Sequence, residues 1–151
     1  MLDRRACLVA LAALPVAGLA GRGHAQAADI HAPDGLAIGG MDAVSYFEGD
    51  APRPGSAGLA LIWRGAEWRF ASEAAREAFE MRPAAYAPSF GGYCAWSMAQ
   101  GVLASGDPLV WSVHQGRLYL MHDAAARRLW LGDVAAHVAR AEAAWPAVLQ
   151  G

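Results

Sequence analysis

The first stretch of alternating side chains, residues 59–71, predicts a β-hairpin. Leu59, Leu61 and Trp63 alternate with side chains that point to the opposite face. Gly65-Ala66 would form the two-residue turn, since glycine at the first central position suits a type II′ turn. The pairs in this register are Arg64 with Glu67, Trp63 with Trp68, and Leu61 with Phe70. The resulting aromatic face must be covered, because a two-stranded ribbon is only marginally stable alone.

A second alternating stretch, residues 109–121, predicts another hairpin. Gln115-Gly116 supplies a turn with glycine at its second position, as type I′ turns prefer. The pairs in this register are Trp111 with Leu120, Ser112 with Tyr119, and Val113 with Leu118.

Helical spacing follows each predicted hairpin. Ser72 is a suitable N-cap for a helix that Pro83 ends near Met81. Residues 93–100 predict one or two helical turns that end at Gly101. Asp133 to Leu149 predicts an amphipathic helix with Asp133 as N-cap and Pro146 ending its regular part. Its apolar stripe comprises Val134, His137, Val138, Ala141, Trp145 and Leu149.

This order of elements predicts an α+β fold. We expect a small antiparallel sheet from the two β-hairpins, packed with several helices that include the C-terminal amphipathic helix. The 151 residues suit one domain, and a composition of 56% hydrophobic and 17% charged residues suits a globular core. No repeat is evident along the chain.

The N-terminal residues have the three parts of a secretory signal. Arg4 and Arg5 are followed by an apolar stretch over 6–20, and Ala25-Gln26-Ala27 offers a small-x-small cleavage site. The apolar stretch is short for a membrane-spanning helix, so the mature chain would have no transmembrane span. The arginine pair partly matches a twin-arginine signal. We therefore predict a cleaved signal peptide over 1–27, an extended linker over 28–35, a domain over 36–150, and a periplasmic or secreted location.

The charge balance argues against nucleic acid as a partner. Residues 28–151 contain 9 Arg and 13 acidic residues, and the full chain has no Lys. A mildly acidic domain lacks the basic surface that binds phosphates. A periplasmic protein partner remains compatible with this composition.

Cys94 is the first candidate for chemistry, because signal cleavage would leave it as the only cysteine. It follows a glycine pair near a predicted helix start, and Met98 lies one helical turn later on the same face. A thiolate and a thioether favour copper or another soft transition metal. The alternative for both residues is a role as core hydrophobes. Met41, Met121, His114 and His122 are further candidate ligands, although His114 and His122 would lie at opposite ends of the second hairpin.

Several short motifs occur over about residues 36–149. They are the stretches 38–47, 68–72, 91–95, 107–108, 116–120 and 145–146, with Phe79, Pro83 and Tyr86. Taken together, these motifs resemble the YHS-domain family in its exported, single-domain form. The resemblance implies a binding or accessory role, since such domains occur beside heavy-metal transport ATPases and in some multicomponent oxygenases. Metal-binding relatives carry cysteines where Ala71 and Ala75 stand here, so the relatives' ligand set is missing.

No catalytic motif accompanies these features. Neither a Gly-x-Ser-x-Gly turn, nor a His-Glu-x-x-His helix, nor a phosphate-binding glycine loop occurs. We therefore expect an exported binding protein with no catalytic residues. The alternatives are a thiol-dependent redox protein or enzyme that uses Cys94, and a structural protein-interaction domain. The six tryptophans suit either core building or a pocket for a flat ligand such as haem, and His137 suits a core position.

Overall fold

A computed structural model describes residues 26–151 of the chain. The predicted signal over 1–27 therefore lies almost wholly outside the described residues. The strands and α-helices, in chain order, are β1 (Ser56–Trp63), β2 (Ala66–Phe70), α1 (Glu73–Met81), α2 (Pro83–Tyr86), α3 (Ala95–Ala99), β3 (Asp107–His114), β4 (Arg117–Met121), α4 (Ala124–Gly132) and α5 (Val134–Ala144). Short 3-10 turns cover Pro33–Gly35, Ala37–Gly40, Ser45–Phe47, Ser89–Gly92 and Ala147–Gln150.

The fold is α+β, as predicted, with two antiparallel hairpins and a C-terminal helix. The strand pair β1–β2 and the strand pair β3–β4 form separate two-stranded sheets. The two predicted N-caps are confirmed. Ser72 Oγ accepts the Ala75 amide proton at 3.1 Å, and Asp133 Oδ1 accepts that of Ala136 at 3.2 Å.

The first hairpin turns one residue earlier than predicted. Its turn residues are Arg64 and Gly65, with φ of 49° and 76°. Two successive positive φ values are typical of a type I′ turn, which tolerates a non-glycine first residue. Trp63 therefore faces Ala66, and Leu61 faces Trp68. All three predicted pairs, Arg64–Glu67, Trp63–Trp68 and Leu61–Phe70, were wrong. A shift of two positions nevertheless keeps the same side chains on the same face.

The second hairpin has the predicted turn at Gln115-Gly116, with φ of 49° and 74°. Its predicted pairs also occur, with Trp111 opposite Leu120, Ser112 opposite Tyr119 and Val113 opposite Leu118. Beyond Trp111 the register shifts, so Asp107 faces Met121. Because of this bulge, His122 does not lie opposite Leu109, as a regular register would place it.

Residues 124–132 form a helix that the sequence analysis left out. Asp123 caps it, with its Oδ1 accepting the Ala126 amide proton at 2.8 Å. The last helix, α5, ends at Ala144, and a cis peptide bond joins Trp145 to Pro146. No helix within residues 26–151 is long and apolar enough to cross a bilayer.

The two halves of the domain repeat the same arrangement, which the sequence analysis did not detect. Residues 38–47 and 90–99 share the pattern x-Gly-Gly-x-x-Ala-x-Ser, and residues 55–81 align with 106–132 without a gap. In both halves the residue before the glycine pair has positive φ, 43° at Ile38 and 57° at Phe90. Each half then continues with a bulged hairpin, a type I′ turn and a capped nine-residue helix.

The core consists of two clusters that meet at β4. Leu118 and Leu120 pack with the first half, around Trp68, Phe70 and Phe79. The alternate residues Tyr119 and Met121 pack with the second half, around Cys94, Met98 and Trp130. Because both faces of β4 are buried, this strand fixes one half against the other.

The segment that precedes the first half packs on the second. The Ala27 amide donates to the Leu149 carbonyl at 3.0 Å, and the His31 amide donates to the Gly91 carbonyl at 2.8 Å. Ile30 is buried. A Cβ atom at Gly91 would overlap the carbonyl oxygen of Asp29, so the close approach of this segment requires glycine there.

Candidate functional site

Cys94 links the start of α3 to the end of β4. Its side chain is fully buried. The Sγ atom accepts two backbone amide protons, from Ser97 at 3.5 Å and from His122 at 3.2 Å. Its own amide donates to the Ala104 carbonyl at 2.8 Å. The thiol therefore joins α3 to the end of β4, and the Cys94 backbone is bonded to Ala104.

Two methionines share the buried cluster of Cys94. Met98 follows one turn later in α3, and its amide donates to the Cys94 carbonyl at 2.9 Å. Met121 ends β4 directly before His122. Cys94, Met98 and Met121 are all at 0% exposure in the same core cluster. The three sulfur side chains therefore belong to one buried cluster.

Alignment of the two halves gives each of these residues a counterpart. Cys94 corresponds to Asp42. The Asp42 carboxylate is also fully buried and accepts two backbone amide protons, from Val44 at 2.9 Å and from Ala71 at 3.0 Å. Ala71 in turn corresponds to His122. The thiol thus takes the place of a carboxylate that joins the end of a strand to the following turn in the first half.

The same alignment places Tyr46 opposite Met98 and Phe70 opposite Met121. Tyr46 and Phe70 are buried as well. One half therefore has oxygen and aromatic groups where the other half has sulfur. Sequence reasoning overlooked Asp42 as a structural residue, although the repeated glycine-pair pattern carried the signal.

The other candidate ligands do not join this cluster. Met41 packs against the first core cluster. His114 pairs with Arg117 beside the hairpin turn, and the His122 ring is exposed. The His122 Nδ1 atom lies 3.0 Å from the Ser105 carbonyl oxygen and must donate to it, since that oxygen only accepts. It is the His122 amide, not its imidazole, that contacts the Cys94 sulfur.

Harder ligand sets are missing from this part of the chain. Within residues 26–151, no three His, Cys, Asp or Glu side chains come together in a way that suits a metal ion.

His137 is buried, as its position on the apolar stripe of α5 predicted. Its Nδ1 donates to the Trp130 carbonyl at 2.9 Å. The ring stands edge-on to Trp96, with centroids 4.8 Å apart, and stacks on Trp130 at 5.8 Å. These contacts make His137 a packing residue of the second half.

The tryptophans are divided between the two core clusters. Trp63 and Trp68 pack on Phe79 in the first half, while Trp96 and Trp130 belong to the second. All six therefore contribute to core packing, and Trp63 and Trp145 also line a surface cleft. Burial raises the pKa of Tyr46, and Asp107 adds to that shift. Burial likewise raises the pKa of Tyr93 and lowers that of His31, so both tyrosines are neutral donors near neutral pH.

Comparison of the chain with family models, with curated proteins and with solved structures gave no match.

Proposed function

We propose that this protein is an exported binding or accessory module that holds copper(I), or a similarly soft transition metal, through Cys94 and Met98. The observation that supports this proposal is the placement of sulfur. On a duplicated backbone, the second half has Cys94, Met98 and Met121 at positions that carry no sulfur in the first half.

The chemistry of these side chains favours copper(I). Thiolate and thioether sulfur are the ligands that select this ion, and a dry apolar surrounding keeps water from competing. The two amide protons directed at Cys94 Sγ would stabilise negative charge on a metal-bound thiolate. Met98 would supply the second sulfur, and Met121, a member of the same buried cluster, would supply a third.

Burial of the thiol supports a binding role over catalysis. A cysteine nucleophile must meet its substrate, whereas Cys94 has no exposed surface. The thiol-enzyme alternative predicts fast alkylation of the folded protein. We expect instead that iodoacetamide reacts with Cys94 at least about 100-fold more slowly in the native protein than in urea, because reaction requires local opening. Equal rates would favour the enzyme.

The resemblance to YHS domains supports the same proposal at the level of class. The proposed site nevertheless differs from the relatives' metal site. Their cysteines fall at Ala71 and Ala75, which belong to the first half, and the Ala71 amide is already bonded to Asp42. Here the soft ligands lie in the second half. Export rests on the predicted signal over 1–27, and a periplasmic protein that delivers or receives the metal is the partner we expect.

The test is an anaerobic titration of the mature protein with copper(I) against a chromophoric competing chelator. We expect Cys94→Ser to weaken binding by about 100-fold or more and Met98→Leu by about ten-fold, since a charged thiolate is the stronger ligand. Met81→Leu is the matched control, because Met81 is 83% exposed. Zinc(II) should bind more weakly, since it prefers nitrogen and oxygen alongside thiolate.

Serine retains an oxygen that accepts the two amide protons, so Cys94→Ser should fold, which circular dichroism verifies. If the folded wild type binds copper(I) no more tightly than Cys94→Ser, the metal proposal fails. A periplasmic pull-down that enriched a partner with both proteins would then favour the interaction-domain alternative.

A further inference from the structure

A cleft opens between the tips of the two hairpins. It has a volume of about 190 Å³ and lies against the chain that follows α2. Its principal side chains are Trp63, Arg64, Ser89, Phe90, Arg117 and Trp145. The two arginines come from different halves of the domain, so the cleft exists only when the halves are packed together.

Two arginines line this cleft on an otherwise acidic domain. Residues 28–151 contain 9 Arg and 13 acidic residues. The Arg64 guanidinium lies 4.6 Å from the Trp63 ring centroid and forms no ion pair with any acidic group of residues 26–151. Arg117 contacts Glu142 at 3.1 Å through Nη1 alone. Because a guanidinium has five N–H donors, Arg117 retains donors for a further acceptor.

Part of the cleft lining is aromatic and packed against the core. Trp63 packs against Trp68 and Phe79, each with centroids 5.7 Å apart. On the other side, Trp145 packs against Phe90 at 6.1 Å. Rigid walls reduce the entropy that a ligand loses on binding. The flat surfaces suit a planar apolar group.

One acidic residue also lines the cleft. Asp29 lies near enough to Tyr93 to contribute to the raised pKa of that phenol. Because Glu142 is paired with Arg117, Arg64 is the cleft cation without an acidic partner within residues 26–151. Guanidinium groups bind carboxylates through paired, charge-assisted hydrogen bonds.

We propose that this cleft binds a small carboxylate with a flat apolar group, its carboxylate between Arg64 and Arg117 and its apolar part against Trp63 and Trp145. This goes beyond the proposed metal site and is independent of it, because Cys94 and Met98 do not line the cleft. The carboxylate belongs either to a free organic acid or to the end of a peptide chain.

The test is a titration of the metal-free protein with benzoate, followed by tryptophan fluorescence and by the indole N–H signals in nuclear magnetic resonance spectra. We expect saturation with a dissociation constant on the order of 1 mM, since the ligand is small. Benzyl alcohol, which lacks the charge, should bind at least about ten-fold more weakly. N-acetylphenylalanine distinguishes the two sources of the carboxylate. Tighter binding than that of benzoate would identify the ligand as the end of a peptide chain, and weaker binding would identify it as a free organic acid.

The repeat supplies variants that the backbone accepts. Arg64→Gln introduces the residue found at the corresponding turn position, Gln115, which has the same φ of 49°. Arg117→Ala introduces alanine, the residue found at the corresponding position, Ala66. Each should weaken benzoate binding by about ten-fold, as the loss of a charge-assisted bond predicts.

Two controls complete the experiment. Arg128→Gln removes an exposed arginine outside the cleft and should leave binding unchanged. Glu142→Gln frees Arg117 from its ion pair and should not weaken binding. Saturation by benzyl alcohol at the same concentration, an equal effect of Arg128→Gln and Arg64→Gln, or no saturable signal with benzoate would each overturn the proposal.

Discussion

Replacement of Asp42 by alanine should be among the most destabilising single changes in the domain. The carboxylate is fully buried and accepts the amide protons of Val44 at 2.9 Å and of Ala71 at 3.0 Å. A hydrogen bond to a charged group contributes about 1.5–3 kcal/mol, and a buried donor without a partner carries a penalty of about 1–3 kcal/mol. Removal of the buried charge recovers part of this loss.

We therefore expect Asp42→Ala to lower the free energy of unfolding by about 3–4 kcal/mol, out of the roughly 5–15 kcal/mol usual for a domain. Asp42→Asn keeps one acceptor oxygen and should lower it by about 2 kcal/mol. Asp50→Ala removes an exposed acid and should stay within about 0.5 kcal/mol of wild type.

Urea denaturation followed by circular dichroism and tryptophan fluorescence measures all three variants. The midpoint should fall while the slope stays constant, because the buried surface is unchanged. Hydrogen exchange adds a local measurement: the amides of Val44 and Ala71 should lose protection first in Asp42→Asn. If the urea midpoint of Asp42→Ala equals that of Asp50→Ala, the structural role assigned to the Asp42 carboxylate is refuted.

Three further comparisons use thermal or urea unfolding. Trp130→Phe should lower the free energy of unfolding by less than about 1 kcal/mol, because the Trp130 Nε1 has no hydrogen-bond partner within the described chain. Trp68→Phe should lower it by about 2–3 kcal/mol, because the Trp68 Nε1 donates to a backbone carbonyl at 3.1 Å. Equal losses would contradict this reasoning. Gly91→Ala should destabilise the domain by at least about 2 kcal/mol more than Gly39→Ala. The Cβ at position 91 would overlap backbone atoms, whereas the Cβ at position 39 would approach a side chain at 3.2 Å. Limited proteolysis of Gly91→Ala should then cleave near residues 26–31. Tyr46→Phe should be about 1 kcal/mol less stable than wild type at pH 7, because it lacks the phenol hydrogen bond. Burial raises the pKa of Tyr46 in the folded protein, so the wild type loses stability above about pH 10, where the unfolded phenol ionises, and the stability difference should narrow. A difference that widens with pH would contradict this reasoning.

The fold class could be predicted because hairpins and capped helices are local. Alternation over 109–121 and the Gln115-Gly116 turn determine the second hairpin without reference to the rest of the chain. The turn of the first hairpin was placed one residue too late, because Arg64-Gly65 and Gly65-Ala66 are both acceptable pairs of central turn residues. The structure adopts Arg64-Gly65, in which the Arg64 guanidinium stacks on Trp63. The missed helix α4 has Asp123 as a clear cap, but its exposed Leu129 and Leu131 blur the apolar stripe.

The candidate site was only partly accessible to sequence reasoning. Cys94 and Met98 are near in sequence, so helical geometry alone relates them. Met121 joins their cluster through β4, and the cleft joins Arg64 to Arg117 across two halves; both depend on tertiary packing. Whether Cys94 and Met98 bind a metal remains a prediction.

The repeat changes how a lone buried cysteine should be interpreted. Taken alone, Cys94 is a small hydrophobe with two amide protons on its sulfur. Its counterpart Asp42 shows that this backbone needs an acceptor there, which explains why the position is polar but not why it is sulfur. A serine or an aspartate would fulfil the structural need. Met98 and Met121, at the counterparts of Tyr46 and Phe70, are core residues under a structural role and sulfur ligands under the metal proposal. Met98→Leu, which spares the amide bonds of Cys94, separates metal binding from core packing.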